Sequence, residues 1–142
     1  MAYSKLSVIN GALSYVGEEP LTSLAASSQK TKRQKNADRN YEAAILEIFD
    51  LPVEWAYFRT RAELSAYGTD PAFGYDYQYT LPDNIRRIIE TVDEDGDNIQ
   101  YKYQREIVVD SDGKAIPVLL CNEEECRIRY IVYIDNPAKW YM

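Results

Sequence analysis

Two cysteines, Cys121 and Cys126, flank Asn122-Glu123-Glu124-Glu125, and their type and spacing could support redox or metal chemistry. A four-residue gap between two strand-like stretches reads as a hairpin loop with the thiols facing each other at its neck. Facing Cα atoms of an antiparallel pair lie about 4.5–5.5 Å apart, near the range of a disulfide. Three states stay open: free thiols, which a reducing cytosol favours, a disulfide, and a metal site, for which no second ligand pair exists in the sequence. The chain has no histidine, which removes the commonest general base, the usual base of a nucleophilic triad and the commonest transition-metal ligand. No P-loop, dinucleotide fingerprint or Gly-x-Ser-x-Gly elbow occurs. Asp93-Glu94-Asp95-Gly96-Asp97 lacks the alternating acids and the closing Glu of a calcium loop and reads as a solvated turn. With 23 acidic residues, carboxylate pairs for glycoside hydrolysis are always available, but nothing selects two of them. No catalytic residue, cofactor or metal site is expected, and the chain reads as no enzyme.

The elements around these residues follow from periodicity. Ser4 or Ser7 can cap a first helix in which Leu6, Ile9, Leu13 and Val16 recur at spacings of three and four, and Gly17 stands where a helix end needs a left-handed residue. A second, longer helix is predicted over 28–49, with Ala37, Tyr41, Ala44, Ile45 and Ile48 as its core stripe. Leu51-Pro52 ends it. A third helix is predicted over 53–65, with Trp55 and Phe58 as core anchors. Residues 66–76 read as irregular. From Pro82 onward the period changes to two: strands are predicted at 85–92, 99–103, 107–109, 116–120 and 128–134, with Asp-Gly turns at Gly96 and Gly113. The last strand sets Arg127 and Arg129 on one face with Ile131 and Tyr133, which reads as a face packed on a helix layer or a second subunit. The expected fold is α+β, one domain over 1–142: an N-terminal bundle of about three helices (1–65), then a small antiparallel sheet of four to five strands (77–135).

Charge is uneven. Residues 1–49 carry six Lys/Arg against five Asp/Glu, and residues 50–142 carry ten against eighteen. So acidic a second half repels polyanions, because nucleic-acid affinity comes chiefly from cations that displace phosphate counterions. The basic residues concentrate at the start of the long helix, as Lys30, Lys32, Arg33, Lys35 and Arg39. That is the wrong sign for the positive end of a helix dipole, so they read either as a solvated segment or as a contact for an acidic neighbour or for DNA. Thirteen tyrosines point to assembly surfaces, where Tyr buries apolar area and keeps a polar tip, or to a sheet, which also favours aromatics. No run of about 18 apolar residues and no basic segment followed by an apolar stretch at the N-terminus is present, so neither a membrane span nor a signal peptide is expected.

Two blocks carry a resemblance: Trp55-Ala56-Tyr57-Phe58-Arg59-Thr60-Arg61-Ala62-Glu63-Leu64 and Tyr77-Gln78-Tyr79-Thr80-Leu81-Pro82-Asp83-Asn84-Ile85-Arg86-Arg87. With the opening Ile9–Leu24 stretch, which includes Leu13-Ser14-Tyr15-Val16-Gly17-Glu18-Glu19-Pro20, they resemble the head-to-tail adaptor proteins of short-tailed phages, the family of tail tubular protein A and the tail accessory factor. The late stretch Arg127–Tyr133 with Asp135-Asn136-Pro137 fits that family loosely. Its members continue beyond this region with a terminal helix or arm, where this chain ends at Met142. The resemblance implies a virion protein that forms a homo-oligomeric ring, dodecameric in relatives. Such a ring sits below the portal protein, joins it to the tail nozzle and surrounds passing double-stranded DNA without binding it specifically. The interface candidates are Lys30, Lys32, Arg33, Lys35, Arg39, Tyr67, Phe73, Tyr75, Tyr77, Tyr79, Arg127, Arg129 and Trp140. The core signature is Trp55, Phe58, Leu64, Leu81 and Pro82. Two rivals remain: a DNA-binding or packaging accessory module that uses the basic helix start, and a small cell-wall hydrolase that uses paired carboxylates.

Overall fold

The computed structural model describes residues 3–24, 31–53 and 55–140. The chain divides into two compact units, one formed by residues 1–53 together with 134–142, the other by residues 54–133.

The first unit holds two helices, α1 (Lys5–Tyr15) and α2 (Lys32–Asp50). Reciprocal bonds define the start of α1: the Ser7 amide donates to Ser4 Oγ at 3.1 Å and the Ser4 amide to Ser7 Oγ at 2.9 Å. Its end is a Schellman turn. Gly17 sits at φ +74°, its amide donates to the Ser14 carbonyl at 3.2 Å, and the Glu18 amide reaches back to the Leu13 carbonyl at 2.9 Å. In α2 the same reciprocal cap joins Thr31 and Gln34, and the helix stops at Leu51, which is extended because Pro52 follows. The Asn10 side chain pins the following loop like a short strand partner, donating to the Leu21 carbonyl at 2.9 Å and accepting from its amide at 2.8 Å. Lys5 pairs with Asp38 at 3.0 Å and sits over the Tyr41 ring at 4.9 Å. Ile9, Leu21, Ile45 and Phe49 are buried. A short 3-10 turn, Pro137–Lys139, capped by Asn136, belongs to this unit as well.

The second unit is all β. Strands β1 (Arg59–Glu63), β6 (Arg127–Val132) and β3 (Ile85–Val92) form one antiparallel sheet, and β2 (Tyr77–Thr80), β5 (Ala115–Cys121) and β4 (Tyr103–Val109) form another. One core draws on both: Tyr79, Leu119 and Cys121 from one sheet, Ile128 and Tyr130 from the other, with Leu64, Leu81 and Cys126 beside them.

The expected α+β fold with a three-helix bundle and one four- to five-stranded sheet is therefore wrong. Among the described residues there are two α-helices and six strands in two three-stranded sheets, and the chain is mostly β. The third helix predicted over 53–65 is instead a turn followed by β1. Trp55, Phe58 and Ala62 are spaced as in a helix, but Thr60 and Ala62 alternate with exposed Arg59, Arg61 and Glu63. The period of two won because all five residues find partners in β6, from Arg59 opposite Ile131 to Glu63 opposite Arg127. Trp55 is correspondingly more than one-third exposed and is no core anchor, whereas Phe58, Leu64 and Leu81 are buried and Pro82 is half-buried.

The single sheet failed for a different reason: the chain changes sheet four times, between β1 and β2, β2 and β3, β3 and β4, and β5 and β6. After β1 the Leu64 amide still bonds the Cys126 carbonyl at 2.8 Å, but Ser65 and Tyr67 bond Thr80 and Gln78 of β2. Likewise Asn122–Glu125 is no hairpin loop, because β5 and β6 lie in different sheets. The strand predicted at 99–103 shrinks to a short return at Asn98 and Ile99, where the Ile99 amide donates to the Thr91 carbonyl at 3.0 Å and the Ile99 carbonyl accepts the Thr91 hydroxyl, and β4 starts only at Tyr103. No helix among the described residues is long and apolar enough to cross a membrane.

Two glycines, one inside α1 and one just past its end, test this account with opposite signs. Gly11 lies in the helix interior with open space around it, so Gly11→Ala should stabilise by about 0.5–1 kcal/mol. Gly17→Ala forces a Cβ into left-handed backbone and should cost about 1 kcal/mol. Urea unfolding followed by far-UV circular dichroism reads both.

Candidate functional site

The thiols expected at a hairpin neck come together by another route, at the corner where β5 leaves one sheet and β6 joins the other. Both are fully buried and free. The Tyr101 hydroxyl donates to Cys126 Sγ at 3.3 Å, and Cys121 Sγ approaches the Glu123 carbonyl at 3.8 Å. That carbonyl also accepts the Tyr79 hydroxyl at 2.5 Å. Hydrogen bonding from the Cys126 thiol stabilises the Cys121 thiolate and lowers its pKa to about 7. Cys126 is pushed up, since ionising it would forfeit that bond and put charge into an apolar surround. Burial raises Tyr79 to about 12, and burial with the bond to Cys126 pushes Tyr101 upward too. The cluster can give up one proton, but it has neither a cleft nor a cationic neighbour, and it sits in the centre of the shared core. It is a satisfied interior.

Among the described residues no group of three or more Cys, Asp or Glu is arranged to hold a metal. The Asp93 turn is an ordinary one: Asp93 Oδ1 accepts the Asp95 and Asp97 amides at 3.0 and 2.9 Å, and Gly96 takes φ +86°.

The basic candidates sit on the first turns of α2, exposed, except Lys30, which lies outside the described residues along with the start of the predicted helix at 28. Arg33 is engaged locally, 3.4 Å from the Glu18 carboxylate and bonded to the Glu19 carbonyl. The Arg face of β6 is also answered from within its own sheet. Arg127 pairs with Glu63 at 3.3 Å and Glu125 at 2.6 Å, and Arg129 pairs with Glu90 and donates to the Gly96 carbonyl at 3.2 Å. Neither arginine needs a helix layer or a second subunit to satisfy its charge. The Trp140 indole donates to the Ile134 carbonyl at 3.0 Å.

The tyrosine-rich candidates separate by burial. Tyr79 is core, Tyr67, Tyr75 and Tyr77 are half-buried, and Phe73 stands 87% exposed. The base of its loop is pinned: the Asp76 amide donates to Asn122 Oδ1 at 2.9 Å, and the buried Gln78 amide donates to the Thr69 carbonyl. The loop thus holds a bare aromatic tip on a fixed footing.

A feature absent from the predicted list lies on the helical unit. Between α1 and α2 runs an apolar groove of about 380 Å³, lined by Val8, Ala12, Leu13, Tyr41, Ala44 and Ile48 among others. Of the stripe Ala37, Tyr41, Ala44, Ile45 and Ile48 expected to face the core, Ile45 is buried, as is Phe49, while Ala37, Tyr41, Ala44 and Ile48 border this groove. Tyr15, 94% exposed, and Val16 extend the apolar surface at the end of α1. The signal was in the sequence, as a second α1 stripe of Val8, Ala12 and Tyr15 at spacings of four and three, more apolar surface than one partner helix can cover.

Comparison with known protein families and with curated proteins finds no match.

The buried hydroxyls set a pH dependence. Tyr79 has a folded pKa raised above its unfolded value of 10, so its stabilising contribution is complete below pH 10 and is lost as pH rises to about 12. Two units correspond to about 2–3 kcal/mol. Unfolding midpoints should therefore fall steeply across that window, and Tyr79→Phe should flatten the fall. A Tyr79→Phe curve parallel to the parent would refute this.

Proposed function

We propose that the chain is a structural head-to-tail adaptor of a tailed phage, a ring component between portal and tail. The observation that carries this reading is the exposed apolar surface: a bare Phe73 on a pinned loop of one unit, and an open apolar groove with Tyr15 and Val16 beside it on the other. Contiguous apolar surface of this kind marks a protein that associates. The resemblance of the Trp55–Leu64 and Tyr77–Arg87 blocks to the phage adaptors points the same way. The Trp55 block departs from the family's helix, being turn and strand here.

The charge distribution suits a conduit. The sheet unit carries sixteen Asp/Glu against nine Lys/Arg and the helical unit seven against seven. A wall of that sign holds phosphate weakly and lets DNA pass. Three carboxylates that the hydrolase alternative could have used, Glu63, Glu90 and Glu125, are taken by arginines.

Electron cryomicroscopy of the virion neck tests the proposal. It should show this chain as a closed ring at the junction of portal and tail, and density accounted for wholly by other proteins would refute it. DNA affinity should be weak, with a Kd above about 10⁻⁴ M at physiological salt. Tight binding with a steep salt slope would favour a packaging accessory instead.

A further inference from the structure

We propose that the groove between α1 and α2 of one copy receives the Phe73 loop of a second copy, a head-to-tail contact that repeats around a ring. This deepens the adaptor reading and rests on it for the ring.

Three observations single out a second copy as the occupant. First, knob and hole are both present on this chain. Phe73 is 87% exposed, its loop footing is fixed by Asn122 and Gln78, and Gly74 at φ +86° turns the backbone directly behind it. The groove offers about 380 Å³ of almost purely apolar lining, kept open by the small side chains of Ala12 and Ala44. Second, the charges match. The loop contains Asp70 and Asp76 and no Lys or Arg between residues 66 and 78. The groove continues past Leu13 and Ala37 into a concavity bordered by Lys32, Arg33 and Glu18, where Arg33 answers Glu18 and Lys32 is left over. Lys32 and Lys35 are exposed and make no ion pair among the described residues. Third, the area fits an assembly that forms only cooperatively. One aromatic knob buries about 150–250 Å², well under the roughly 1,000 Å² of a stable interface. A single contact is weak, and because its two halves are different patches, it propagates until the ring closes.

The test uses the full chain with Phe73 replaced by the photo-crosslinker p-benzoylphenylalanine, irradiated at high concentration. Intermolecular adducts should form a ladder of oligomers and map to the groove, at Val8, Ala12, Ala44 or Ile48. Ala44→Trp fills the groove from an exposed position and should abolish the ladder while leaving the helical circular dichroism unchanged. By sedimentation, Phe73→Ala should weaken self-association at least about tenfold, equivalent to 1.4 kcal/mol. A mixture of Phe73→Ala chains with Ala44→Trp chains should give heterodimers and nothing larger, because each pair retains one working contact. Adducts confined to one chain, adducts outside the groove, or undiminished association of both variants would overturn the proposal. A neck ring that survives Phe73→Ala intact would sink this contact and leave the adaptor reading standing. Groove adducts from a chain absent from the neck would do the reverse.

Discussion

The corner between the two sheets is the constraint on which the β unit depends. Leu64, Cys121 and Cys126 are buried where the backbone passes from one layer to the other, and every polar atom carried inside must find a partner there. The Glu123 carbonyl meets this demand for Tyr79, and the Cys126 sulfur for Tyr101. Removing such a partner costs more than the bond itself contributes, since a buried group left unsatisfied keeps its full desolvation penalty. The acidic run Asn122–Glu125 is thus anchored by its backbone while its carboxylates face water or Arg127. Cysteine suits the position as a small apolar side chain with a weak donor. Both thiols pack at a turn between layers.

Much of the local structure was legible. The Ser4 cap of α1, the glycine ending it, the stop before Pro52 and the Asp-Gly turns follow from side-chain chemistry that acts over three or four residues, whereas the Thr31 cap of α2 was missed. The strands at 85–92 and 116–120 follow from their apolar and β-branched runs. The architecture was not legible, because it turns on non-local choices. Ala62 satisfies a helix period with Trp55 and Phe58 as well as it satisfies a strand period with Thr60; pairing with β6, more than sixty residues away, decided between the two. Nothing in Asn122–Glu125 distinguishes a hairpin from a passage between sheets. The interface candidates illustrate the same limit. Arg127 and Arg129 looked unanswered in sequence because their partners, Glu63 and Glu90, arrive from other strands.

The two units differ in how they handle charge and apolar area. In the sheet unit the arginines of β6 are neutralised across strands, and surplus carboxylates collect on turns such as Asp93–Asp97. The helical unit is electrically balanced but leaves apolar area uncovered, because two helices cannot bury both stripes of α1. The open groove thus lies on the balanced unit, while the acidic unit exposes its apolar side chains singly, Phe73, Ile107 and Val109 among them.

The helical unit is assembled from both ends of the sequence, with residues 134–140 returning to it after the whole sheet unit. The sheet unit is one uninterrupted segment, 54–133, whereas the helical unit must bring together two segments that this whole stretch separates. Trp140 borders a second face of α1, beside Ser7, Gly11 and Tyr15, so completing that face carries the entropy of closing a long loop.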